Sequence, residues 1–94
     1  MKTLSEVLEL VGKAIECNTR KNEVVSKAEW MIDYYGHVNE LVIKYYPFGW
    51  SDKSSVVVEK CAVYLTENGI QEAYWFLYNR LNIIDEIEKN YKLK

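Results

Sequence analysis

Apolar residues recur along this chain in steps of three and four. Leu4, Val7, Leu8, Val11, Ala14 and Ile15 fall on one side of a helical wheel, while Ser5, Glu6, Glu9, Lys13 and Glu16 take the other. That division is the signature of an amphipathic helix. Thr3 followed three residues later by Glu6 forms a capping box at its start, and the polar run 18–22 ends it. The spacing predicts a helix over 4–17. A second register, Val24, Ala28, Met31, Tyr35, Val38, Val42 and Tyr45, alternates steps of four and three and passes through Gly36. One long helix over 22–46 is therefore expected, at a cost of about 1 kcal/mol for its interior glycine. Pro47 closes it, because proline cannot continue the hydrogen-bond ladder.

Downstream, Ser51 or Asp52 can cap a third helix over 53–68 with Val57, Val58, Cys61, Tyr64 and Leu65 on its inner face. Val56-Val57-Val58 is β-prone, which makes a strand the rival reading; the lack of a partner strand favours helix. Asn68-Gly69 reads as a left-handed C-cap. Ile70, Ala73, Tyr74, Leu77, Leu81 and Ile84 then line a last helix over 70–91. With no repeats and no linker, the expected architecture is all-α: a compact four-helix bundle with a long second helix, in one domain over 1–94.

Composition acts mainly by exclusion. A net charge of −2 and a pI near 5.4 disfavour nucleic acid, whose phosphates demand a basic face. No apolar run approaches the length of a membrane span, and Glu6 and Glu9 interrupt any export signal. Cys17 and Cys61 have no second pair, which fits free thiols in a reducing cytoplasm. Abundant Asn, Ile and Tyr, with ten Lys against two Arg, fit an AT-rich bacterial or phage genome. On helical spacing Asp33, His37 and Glu40 share a face, but they are too few to hold zinc and read as a surface ion pair. His37 would have to meet a core cysteine to make a nucleophile, and the scattered glycines form no phosphate loop. No catalytic, metal or cofactor site is expected, and the chain does not read as an enzyme.

Aromatic residues make up 14% of the chain: eight Tyr, three Trp and two Phe. That is more than a core of this size requires. Trp75 projects among Gln71, Glu72, Asn79, Asn82 and Glu86, Trp30 and Tyr34 flank the main stripe of the second helix, and Phe48 and Trp50 occupy the loop after Pro47. These five are the expected partner-binding residues, since large rigid aromatics dominate interfaces where they are exposed. The function expected is a small cytoplasmic interaction module, from a bacterium, phage or mobile element, that binds and regulates or inhibits a protein partner, with a homodimer as an open state. The alternative is a homodimeric helix-turn-helix regulator reading DNA through the Gly69 turn, although that helix would present Gln71, Glu72, Trp75 and Asn79 with only Arg80 as a cation. Tyr45-Tyr46-Pro47, followed by Ser54, resembles the Tyr-Tyr-Pro segment of colicin DNase immunity proteins. The resemblance implies a small acidic helical inhibitor. It covers three consecutive residues, and the long helix after Gly69 and the missing acidic cluster before the tyrosines depart from that family.

Overall fold

The first helix begins where its capping box directs. In the computed structural model, which describes residues 1–19, 28–50 and 56–92, the Thr3 N–H donates to Glu6 Oε1 at 3.0 Å and the Glu6 N–H donates to Thr3 Oγ1 at 3.3 Å. Helix α1 spans Leu4–Thr19 and buries Val7, Leu10, Ala14 and Cys17. The Thr3 backbone bond, aided by Lys2, holds the Glu6 carboxyl below the usual carboxylate range.

Beyond residue 27 the chain departs from the expected bundle. Strands β1 (Glu29–Tyr35), β2 (Glu40–Tyr46) and β3 (Glu59–Tyr64) precede helix α2 (Glu67–Lys92). The strands form one antiparallel sheet in the order β1-β2-β3. The fold is α+β, with α1 over β1, α2 over β3, and the helices packed against each other on one face of the sheet.

The long second helix over 22–46 is replaced by a hairpin, and residues 20–27 lie outside the described set. The reason is a competing period of two. Trp30, Ile32 and Tyr34 lie opposite Tyr45, Ile43 and Leu41, and Leu41 and Ile43 lie opposite Val63 and Cys61. Those alternate residues point to the helix face, and all but the exposed Tyr34 form or pack against the core with Leu77, Leu81 and Ile84. The segment is rich in β-branched and aromatic side chains, which suit a pleated, half-buried surface. The helical register picked out instead Met31, Tyr35 and Val42 from the opposite face of the sheet, along with Val38 from the turn. Gly36 sits in that turn rather than inside a helix: the Val38 N–H donates to Tyr35 O at 3.2 Å, and Asn39 takes a left-handed φ of 53°. Asn tolerates that region better than most residues. After β2 the chain reverses again at Pro47, where the Gly49 N–H donates to Tyr46 O at 3.1 Å.

The expected third helix is likewise corrected. Residues 51–55 lie outside the described set, and 59–64 form β3, because β2 supplies the partner strand that a helical reading of 40–46 had removed. Gly69, expected as a C-cap, lies in the first turn of α2. Thr66 is the N-cap: its Oγ1 accepts the Gly69 N–H at 3.2 Å, and its carbonyl accepts Ile70 N–H at 2.9 Å. A Cβ at position 69 would lie 1.7 Å from Tyr64 O, so the glycine is there to let strand and helix backbones meet.

The two sheet edges are finished differently. In an antiparallel ladder, backbone groups alternate between the partner and the free side. Leu65 N–H donates to Asn39 O at 2.9 Å, which places the groups of Glu59, Cys61 and Val63 toward β2 and those of Lys60 and Ala62 on the open edge. On the β1 side the outward groups of Trp30 are taken by a side chain: Asn18 Nδ2 donates to Trp30 O at 2.7 Å, and Trp30 N–H donates to Asn18 Oδ1 at 2.8 Å.

Candidate protein-binding surfaces

Helix α1 carries more apolar residues than one face can bury. Val7, Leu10, Ala14 and Cys17 go to the core, leaving Leu4, Leu8, Val11 and Ile15 as a second stripe at helical spacing. This stripe forms one wall of a groove of about 480 Å³ whose other wall is Ile32, Tyr34, Leu41 and Leu65. Leu8 is 56% exposed and Tyr34 57%. The Tyr34 hydroxyl donates to Asn39 Oδ1 at 2.8 Å, tying the ring to the hairpin turn and presenting its face to the groove. Apart from Asn39 the walls are apolar, so an entering group gains burial rather than hydrogen bonds.

A second surface lies where α2 passes β3. Tyr74, Trp75 and Tyr78 form a cluster, with Trp75 edge-on to Tyr74 at 5.0 Å and to Tyr78 at 5.3 Å between ring centroids. Lys2 Nζ stands 4.6 Å from the Tyr74 ring. Trp75 also borders a channel of about 500 Å³ between α2 and residues Lys60 to Val63 of β3. At one end of it Arg80 binds Glu59 Oε1 at 2.6 Å and lies 3.6 Å above the Phe76 ring. The half-buried Cys61 thiol is pushed up by burial and by Glu72, with Arg80 opposing.

The expected site residues scatter over these features instead of forming one surface. Trp30 is only 3% exposed and stacks at 4.5 Å on Tyr45 in the core, so it presents no contact area. Tyr34 borders the α1 groove, and Trp75 belongs to the β3 channel. Phe48 and Trp50 are exposed beyond the other end of β2, where the Trp50 N–H donates to Glu29 Oε1 at 3.3 Å. Leu4, Leu8 and Ile15, which share the apolar side of the α1 wheel, are exposed. The excess of apolar positions on α1 was the signal that some of them face outward.

The remaining sheet face carries Met31, Tyr35, Tyr46 and Tyr64, with Lys44 directly opposite Lys60. Asp33 and Glu40 share that face, so it lacks the basic excess that a backbone phosphate requires. A helix-turn-helix does not form at Gly69, because a strand stands where its first helix was expected. Asp33, His37 and Glu40 are split between β1, the turn and β2. Among the described residues no three His, Cys, Asp or Glu side chains gather to hold a metal ion, and no helix is long and apolar enough to cross a membrane. The Tyr-Tyr-Pro segment ends a strand, which removes the helical context that the immunity-protein resemblance implied. No protein-family model, curated protein or solved structure matches this chain.

Proposed function

We propose that the chain is a small cytoplasmic interaction module that binds a protein partner and so regulates or inhibits it. The observation that carries this is the groove between α1 and the hairpin end of the sheet. An apolar concavity whose walls leave Leu8, Ile15 and Tyr34 about half exposed costs free energy in water unless something fills it. The aromatic ring at its mouth supplies contact area at little cost in rotamer entropy. The occupant that fits such a groove is an apolar ridge of another protein, such as one face of an amphipathic helix.

The test uses Leu8→Asp with Ile15→Asp, which puts two carboxylates on the groove wall at exposed positions, and Tyr34→Ala separately. Thermal unfolding is expected to stay close to wild type, within roughly 1 kcal/mol. Affinity capture from the source cell's lysate should yield a stoichiometric protein with wild type that both variants lose. Equal capture by all three proteins would remove the groove from the interface.

A further inference from the structure

We propose that the α1 groove takes an extended segment of the partner protein, which adds to β1 as an antiparallel strand at Ile32 and Tyr34 and carries a basic residue between two apolar ones. This assignment rests on the groove's being a protein-binding surface and specifies what enters it.

The groove coincides with an open backbone edge. Its sheet-side wall includes Ile32 and Tyr34, and β1 is an outer strand of the sheet. The outward groups of Trp30 are held by Asn18, and backbone groups alternate along a strand, so the N–H and C=O of Ile32 and Tyr34 also face outward. They have no partner among the described residues. An amphipathic helix laid over this edge would take water from these groups and give nothing back, because its own peptide groups are bonded within the helix. An extended segment pairs with them and buries its alternate side chains at the same time.

Asn18 marks the direction. Its one side-chain amide accepts from the Trp30 N–H and donates to the Trp30 carbonyl. Exchange of both bonds with a single residue is the pattern of a hydrogen-bonded antiparallel pair. A guest strand that continues this ladder pairs next with Ile32 and then with Tyr34, and the hairpin turn after Tyr35 ends the run.

Register then assigns the chemistry. Guest residues paired with Ile32 and Tyr34 point with them to the helix face, toward Leu8, Val11 and Ile15 on the opposite wall. The guest residue between them lies opposite Asp33 and points to the other face. On this side of β1 that position is a non-hydrogen-bonded pair, the kind with closer side chains, where opposite charges attract. Asp33 is exposed and forms no ion pair among the described residues. An apolar–basic–apolar segment therefore matches both the groove and its edge. The channel beside β3 has no such match, since Glu72, Asn79 and Arg80 interrupt its apolar lining.

The probe is the blocked peptide Thr-Leu-Lys-Leu-Thr, titrated into the full chain to about 5 mM, the weak range expected of so short a ligand. Backbone amide NMR with hydrogen exchange follows it. Leu8, Val11 and Ile15 should shift, and the Ile32 and Tyr34 amides should become protected. Methylating both leucine nitrogens of the peptide keeps its side chains and removes its donors, and should weaken binding roughly tenfold or more. Replacing its lysine by glutamate should weaken binding about threefold, and Asp33→Lys, at an exposed position, should reverse that preference. Shifts in the groove with Ile32 and Tyr34 still exchanging freely, or equal binding of the methylated peptide, overturn the strand and leave the groove reading intact. A preference unchanged in Asp33→Lys overturns the basic residue. A peptide that binds nowhere overturns the whole assignment, while the groove itself is judged separately by whether Leu8→Asp with Ile15→Asp loses the captured protein.

Discussion

The two tryptophans Trp30 and Trp75 show how little residue type alone decides. Both stand out in the sequence as large and aromatic, yet one lies in the core against Tyr45 and the other lies half exposed beside Tyr78. Trp30→Ala empties a core site and should cost about 3–5 kcal/mol. Trp75→Ala gives up mainly edge contacts with Tyr74 and Tyr78, and should cost about 1 kcal/mol. Denaturant unfolding of both variants checks this, and similar losses for the two would contradict the assignment. The capping box at Thr3 and Glu6 was legible because it is a local motif whose donors and acceptors lie within one turn. The N-cap at Thr66 was not, since its recognition depends on knowing that a strand ends at Tyr64.

At the scale of elements, helices α1 and α2 were readable from their periodicity because each buries its own stripe. The strands were hidden by an accident of spacing. In the segment over 29–46, apolar residues occupy both faces of β1 and β2, so a period of two and a period near 3.6 both find matches. Period alone could not choose, and the density of Tyr, Ile, Val and Trp was the signal to weigh instead. Gly69 gives this distinction a sign. In a plain helix interior, glycine to alanine stabilises by about 1 kcal/mol. Here the added methyl would meet the Tyr64 carbonyl, so Gly69→Ala should destabilise by about 3 kcal/mol, the upper end for overpacking. A rise in thermal stability would show that α2 does not press on the end of β3.

Among the described residues two helices lie on a small sheet, and the proposed interaction surface follows from what they cannot cover. One helix per outer strand leaves a groove beside α1 and a channel beside α2. The sequence indicated a surplus of apolar surface, but not where it lies, because placement depends on the sheet. The aromatic count pointed to Trp75 and Tyr34, which border those openings, and equally to Trp30, which closes the core.

The amide of Asn18 guards one stretch of the sheet's β1 edge. A sheet with two open edges can add copies at both ends and grow into a fibre, whereas one with a single open edge stops at two. By occupying the Trp30 backbone, one side chain from the end of α1 withholds that stretch of β1 from strand addition, while the outward groups of Ile32 and Tyr34 lie beyond its reach. Asn18→Ala should leave that N–H and carbonyl unmatched, at a cost of about 1–3 kcal/mol read by denaturant unfolding. Light scattering is then expected to grow with time and concentration for Asn18→Ala. Steady scattering from this variant would mean that the polymer is prevented by some other part of the chain.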